Sequence, residues 1–116
     1  MPSQYLESLE LLAGNDRRVL FYDSIGCGNS WVASGRKGPP PEAYTLDLLI
    51  TEIAEVKAAA GLDRCHVLGH GFGGMLAVQA LADGRLPGVA TLSLLSAAPS
   101  WAALVSERRR QVIHLR

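Results

Sequence analysis

The chain has 116 residues, of which 48% are hydrophobic and 19% are charged, and its 11 Lys and Arg residues balance its 11 Asp and Glu residues. This length and composition predict one globular domain with a modest core. The neutral balance argues against a nucleic-acid partner, which would favour a basic excess, and no apolar run is long enough for a membrane span.

The first half of the chain predicts a helix, a strand and a loop. Residues 3–13 carry apolar side chains at helical spacing, with Ser3 as a candidate N-cap and Gly14 as a candidate stop. The apolar run of residues 17–23, "RRVLFYD", is typical of a strand buried on both faces. Glycine and proline are frequent in residues 24–43, and we expect an irregular loop there.

The second half alternates helices with strands. Thr45 is a candidate cap for a helix that reaches about residue 60. Residues 65–69 predict a second buried strand, and residues 72–82 predict a helix that is apolar nearly all round and therefore deeply buried. A third strand is predicted at residues 88–95, before a last helix. The inward stripe of the helix after Thr45 is predicted at Leu46, Leu49, Ile53, Val56 and Ala60.

The order of these elements is α-β-α-β-α-β-α, which is typical of an α/β fold. Such alternation predicts a three-layer parallel sheet with helices on both faces, here with about three strands and four helices. We expect a single domain over residues 1–116, with the core in residues 1–100. Residues 101–116 then form a separate terminal helix that begins after Pro99, a helix breaker.

A glycine-rich turn, "VLGHGFGGMLA", lies between the second strand and the following helix. Gly69, Gly71 and Gly74 satisfy G-x-G-x-x-G, the pattern of a dinucleotide-binding turn. That pattern needs an acidic residue about 20 positions later, at the end of the next strand, to bind the ribose. The chain has Ser96 there instead. Dinucleotide binding is therefore the weaker of two interpretations.

The second interpretation is the nucleophile elbow, G-x-S-x-G, a sharp turn from strand to helix. Gly69-His70-Gly71-Phe72-Gly73 matches every position except the serine. The surrounding sequence "GLDRCHVLGHGFGGMLAVQAL" resembles the elbow region of α/β-hydrolases, and in particular that of the proline iminopeptidase group. "RRVLFYDSIGCGNS" and "YTLDLLITEIAEVKAAAGLDR" are similar to the preceding strand-loop and helix of that group.

The resemblance implies a serine nucleophile at the position of Gly71 and an oxyanion donor in the backbone N–H of Phe72. It places His70, Gly74 and Asp23 around the elbow and its pocket, with Asp23 ordering a loop rather than serving as the triad acid. The His and Asp partners, the upstream H-G-G-P-G loop and the acidic residues of the cap are expected to be missing. Compared with the family pattern, we expect a partial core, truncated at both ends, with residues 101–116 as the start of a cap-like helix.

The functional hypothesis is a proline iminopeptidase-like hydrolase, inactive as written because the nucleophile and its partners are absent. The alternative is a non-catalytic module that keeps the pocket and binds a peptide or small molecule. No cofactor, metal, nucleic acid or membrane is predicted, and we expect an intracellular, cytoplasmic protein with reduced Cys27 and Cys65. A partial sheet exposes its edges, so we expect marginal stability or self-association.

Overall fold

The computed structural model describes residues 3–98 and 100–114 of the chain. They form two compact units, an N-terminal unit, Met1–Leu49, and an elbow unit, Ile50–Arg116. The single-domain assignment stays a prediction. The elements in chain order are a 3₁₀ helix (Ser3–Leu12), α1 (Gly28–Ala33), a 3₁₀ turn (Pro41–Ala43), α2 (Leu46–Ala59), β1 (Cys65–His70), α3 (Phe72–Ala82), β2 (Val89–Leu95) and α4 (Trp101–His114).

The elbow unit is built on a two-stranded parallel sheet. β1 pairs with β2 in register from His66 opposite Thr91 to His70 opposite Leu95. α3 connects the two strands and packs on both. These features confirm the predicted α/β class and parallel pairing, and α3 has the predicted bounds. The buried apolar residues of the described chain are Ile50, Met75, Leu76, Ala77, Ala80 and Leu86.

The residues of β1 are buried on one face of the sheet only. Gly69 is buried and Val67 is half-buried on the α3 side, whereas His66 and Leu68 on the other face are exposed. The predicted burial of β1 therefore holds on one face only. Full burial needs a layer on each face of a strand, and the exposed side chains show that one face of β1 has none. The expected self-association through sheet edges stays a prediction.

α2 begins as predicted. The backbone N–H of Leu48 donates to Thr45 Oγ1 at 3.1 Å, so Thr45 caps the helix. Gly61, at φ 64°, ends it. The predicted inward stripe is displaced, because Ile50 is the buried residue of α2 and Leu46 is exposed. Apolar residues at 46, 48, 49 and 50 satisfy several helical phases, so periodicity alone could not select the buried one.

The N-terminal unit differs most from expectation. Its first helix is a 3₁₀ helix of 10 residues, and it is followed by a tight turn in which Gly14 and Arg17 exchange backbone hydrogen bonds of 3.0 and 3.2 Å. The strand predicted at residues 17–23 is wrong, because within the described chain residues 18–24 belong to no β-ladder. A strand is stabilised by the partner that satisfies its backbone groups, and apolar composition does not provide one.

The loop of residues 24–43 contains more structure than predicted, since it forms α1 and the short 3₁₀ turn. The Tyr44 side chain, just after this loop, packs against two of the loop's glycines. A Cβ atom added at Gly26 would lie 2.4 Å from the Tyr44 hydroxyl oxygen, and one at Gly38 would lie 2.7 Å from the same atom. Glycine at both positions lets the phenol approach the backbone closely.

The final helix begins at Trp101, as predicted. The backbone N–H of Ala103 donates to Ser100 Oγ at 3.2 Å, which caps the start of α4. The helix is described as far as His114. The predicted break at Pro99 and the last two residues of the predicted helix lie outside the described residues. No helix in residues 3–98 and 100–114 has the length and apolarity to cross a bilayer.

Candidate functional site: a strand-to-helix elbow

Gly71 forms the junction between β1 and α3. Its backbone has φ 54° and ψ −121°, a conformation that L-residues rarely adopt. Its N–H donates to the carbonyl of Leu95 at 2.9 Å, and its carbonyl accepts from the N–H of Gly74 at 3.2 Å. The chain therefore turns from strand to helix at one residue, which is the backbone form of a nucleophile elbow.

The other glycines of the turn have different roles. A Cβ atom at Gly69 would lie 2.4 Å from the Cα of Gly74, and a Cβ atom at Gly74 would lie 2.5 Å from the Cβ of Ala97. Strand and helix therefore meet at bare backbone, where no side chain fits. A Cβ atom at Gly73 would meet nothing within 4 Å. The contact between Gly69 and Gly74 fixes the helix on the strand.

Position 71, where the resemblance predicts a nucleophile, is structurally open. A Cβ atom at Gly71 would also meet nothing within 4 Å. A side chain would therefore be limited by the backbone conformation and not by neighbouring atoms. Phe72 is the first residue of α3, so its backbone N–H, the predicted oxyanion donor, lies at the positive end of the helix dipole. Phe72 N–H therefore stands at the helix start, as the predicted donor requires, and Gly71 presents no reactive side chain.

His70 and Ser96 flank the elbow. His70 is the half-buried last residue of β1 and lies opposite Leu95 in the parallel register. Ser96 follows Leu95 directly, is exposed, and has φ 49°. This left-handed backbone is unusual for a residue other than glycine, and the sequence gives no signal for it. Where the dinucleotide-binding pattern needs a carboxylate after the strand, the structure has this serine.

Of the other histidines, His66 lies on the exposed face of the sheet. Its Nδ1 is 2.7 Å from Thr91 Oγ1, a cross-strand pair in the register of the two strands. This bond holds the imidazole over the sheet. His114 is the last residue of α4.

Asp23 belongs to the N-terminal unit and is its one buried residue among those described, with 6% of its surface exposed. Its Oδ2 accepts a hydrogen bond of 2.8 Å from the N–H of Asn29, and its carbonyl accepts one from Ser30 Oγ. A Cβ atom at Gly28 would lie 2.3 Å from the same Oδ2. Gly28 and Ser30 of the "GCGNS" segment therefore lie against Asp23. Contacts of this kind are what a loop-ordering role of Asp23 would need.

No group of three or more His, Cys, Asp or Glu side chains in residues 3–98 and 100–114 could hold an ion. Cys27 and Cys65 are both free thiols.

Comparison with known proteins identifies the family. The family model of the alpha/beta hydrolase fold matches residues 3–114. Proline iminopeptidases are similar to this chain at 33% identity over 111 residues in Clostridioides difficile (strain 630), and at 36% over 112 residues in Lactobacillus delbrueckii subsp. lactis. These matches cover 96% of this chain and 36% and 37%, respectively, of the two relatives.

The chain thus spans a little over a third of the length of the curated relatives it matches. No solved structure matches it. The match over residues 3–114 includes the elbow, the α3 helix and the loop of Asp23, which are the features that the resemblance rested on. The chain belongs to the alpha/beta hydrolase fold family.

Proposed function

We propose that this chain is a proline iminopeptidase-like member of the family whose elbow does not carry out serine-type hydrolysis. The parent reaction is the removal of an N-terminal proline from a peptide. The observation that carries the proposal is Gly71, which has the elbow backbone but no side chain. The similarity to proline iminopeptidases supports the reaction class from which the chain departs.

Chemistry explains why this single position decides the activity. In a serine hydrolase the elbow oxygen attacks the substrate carbonyl, a histidine takes the hydroxyl proton, and the leaving amine departs from a tetrahedral intermediate. Gly71 offers no oxygen to form that bond. Loss of the nucleophile costs on the order of a millionfold in kcat in a well-studied serine protease. The oxyanion donor at Phe72 remains, but a donor cannot replace the attacking atom.

A hydrolysis assay with proline p-nitroanilide tests the proposal. We expect the purified wild-type chain to release p-nitroaniline at the rate of the buffer alone. His70→Ala and Ser96→Ala serve as comparison variants, because these residues flank the elbow and carry groups able to transfer a proton or attack a carbonyl. Turnover that either substitution abolishes would overturn the proposal. Turnover that is equal in all three proteins would identify a contaminating host peptidase.

A second candidate is a non-catalytic binding module at the elbow. The open space at Gly71 favours it, because a ligand carbonyl could approach the start of α3 without meeting a side chain there. The dipeptide Pro-Gly is a suitable probe. Binding would raise the melting temperature, and above the Kd the rise would grow with the logarithm of the ligand concentration. Gly71→Leu should abolish that rise, and an unchanged melting temperature of the wild type would rule this candidate out.

A further inference from the structure

The outer edge of β2 has no neighbouring strand. Within residues 3–98 and 100–114 the sheet contains β1 and β2 alone, so no third strand continues it beyond β2. The Leu95 carbonyl accepts from the N–H of Gly71, directly after β1, at 2.9 Å. Because the backbone groups of successive residues point to opposite sides of a strand, those of Leu92 and Leu94 point away from β1. These two residues therefore present their N–H and C=O groups at the outer edge.

The sequence of β2 carries none of the residues that block pairing at an edge. Natural edge strands are protected by charged residues, by Pro or by an irregular backbone. Val89–Leu95, "VATLSLL", contains no charged residue, Pro or Gly. Its one irregularity is at Ala90, where two steps along β2 match one step along β1, and residues 91–95 are in regular register. Segments of this composition pair readily with further strands.

The edge of β2 is complementary to itself. A two-fold axis at Ser93, perpendicular to the sheet, sets two copies of β2 antiparallel. Leu92 then lies opposite Leu94 of a second copy, and each outward N–H meets an outward carbonyl. The pairing places no fixed charge opposite a like charge, which would be destabilising. The formal net charge of the whole chain is +0, so two copies carry no net repulsion.

The side chains of β2 also suit this pairing on both faces of the sheet. Leu94 lies on the α3 side, since a Cβ atom at Gly74 would lie 3.1 Å from its Cδ2, and it is 42% exposed. The half-buried Leu92 of a second copy would cover part of that apolar surface. Ser93 is exposed on the opposite face, where its hydroxyl could hydrogen bond to its counterpart across the axis.

We propose that this chain forms a two-fold dimer in which β2 pairs antiparallel with β2 of a second copy. The two sheets then become one continuous sheet in the strand order β1-β2-β2-β1. A two-stranded sheet is marginal in isolation, and the added strands give each β2 a partner on both sides. The dimer is independent of the proposed loss of hydrolysis, because no elbow residue takes part in the pairing.

Sedimentation equilibrium of the chain of 116 residues tests the dimer. We expect a reversible monomer–dimer equilibrium with a dissociation constant of about 10–100 μM, since the paired segment is smaller than a standard interface. Ser93→Lys sets lysine opposite lysine at the axis and should weaken the dimer roughly tenfold or more.

Leu68→Lys is the matched control. Leu68 is opposite Ser93 in the register of β1 and β2 and is exposed on the same face, so the variant adds the same charge to the same surface. In the dimer it would lie about 14 Å, three strand spacings, from its counterpart, which is beyond the Debye length at physiological salt. We expect the dissociation constant to stay that of the wild type.

An equimolar mixture of Ser93→Lys and Ser93→Glu chains separates lost pairing from lost folding. Opposite charges meet at the axis only in the mixed dimer, so we expect the mixture to associate at least as tightly as the wild type. A wild-type chain that stays monomeric at about 1 mM would overturn the proposal. Equal losses in Ser93→Lys and Leu68→Lys, a loss in Leu68→Lys alone, or a mixture that does not associate would also contradict pairing through β2.

Discussion

Different interactions stabilise the interior of each of the two units. Among the residues whose burial the structure describes, all six buried apolar residues lie in the elbow unit, whereas the one buried residue of the N-terminal unit is Asp23. In the elbow unit apolar packing of α3 supports the turn. In the N-terminal unit the loop is ordered by the hydrogen bond from Asn29 N–H to the Asp23 carboxylate and by the close approach of Tyr44 to two glycines. The two units therefore have unequal apolar cores.

This difference explains how the elbow can hold its shape with a glycine at position 71. The turn is fixed by the contact of Gly69 with Gly74, by the bond from Gly71 N–H to Leu95, and by the burial of α3. None of these interactions involves a side chain at position 71. The backbone interactions that shape the turn are independent of the side chain at position 71, so the turn can form without a reactive group there.

The largest effect should come from the core of the elbow unit. Leu76 is only 3% exposed, and Leu76→Ala should destabilise the chain by about 2–5 kcal/mol, because it removes buried surface and leaves a cavity. Leu11, in the N-terminal unit, is 88% exposed, and Leu11→Ala should change stability by less than about 0.5 kcal/mol. Urea denaturation followed by circular dichroism measures both. Equal costs would contradict the unequal distribution of the core.

A smaller effect is expected where strand and helix meet. Gly69→Ala places a Cβ atom 2.4 Å from the Cα of Gly74, and we expect a cost of about 1–3 kcal/mol from the forced separation. Gly73→Ala is the matched control, since Gly69 and Gly73 are each two residues from Gly71. A Cβ atom at Gly73 meets nothing within 4 Å. This second change should be neutral or stabilising by up to about 1 kcal/mol through helix propensity. The same urea series checks the pair, and a costly Gly73→Ala would be inconsistent with this geometry.

The smallest effect should be local to the N-terminal unit. Asp23→Ala removes the acceptor for Asn29 N–H and should cost about 1 kcal/mol at the start of α1. Hydrogen exchange at the Asn29 amide should then accelerate by roughly fivefold, and Asp23→Asn should restore much of the protection. Amides of α3 should not change. Faster exchange throughout α3 would show that the two units do not respond separately.

Elements with strong local signals were predictable from the sequence. α3 has the predicted bounds because an apolar run follows a glycine turn, and Thr45 caps α2 because its hydroxyl precedes the helix by one residue. The strand predicted at residues 17–23 failed for a different reason. Its composition is that of a buried strand, but a strand also depends on a pairing partner elsewhere in the fold, which composition does not specify.

The candidate site was predictable in its motif but not in its contacts. The pattern predicted the sharp turn at Gly71 and included Gly69 in it, and the nucleophile role of position 71 stays a prediction. It did not distinguish Gly74, which packs against Gly69, from Gly73, where an added Cβ atom would meet nothing within 4 Å. The left-handed backbone of Ser96 and the bonds from the Asn29 amide and the Ser30 hydroxyl to Asp23 depend on how the chain folds.

The central claim is that Gly71 keeps the elbow backbone at the position of the missing nucleophile. Replacing Gly71 with L-alanine or D-alanine in otherwise identical semisynthetic chains measures this directly, because a Cβ atom meets no neighbour there and only the backbone conformation is tested. At φ 54° we expect L-alanine to cost about 1–3 kcal/mol and D-alanine to stabilise by about 0.4–1 kcal/mol in urea denaturation. Equal stabilities of the two chains, or a more stable L-alanine chain, would contradict the elbow.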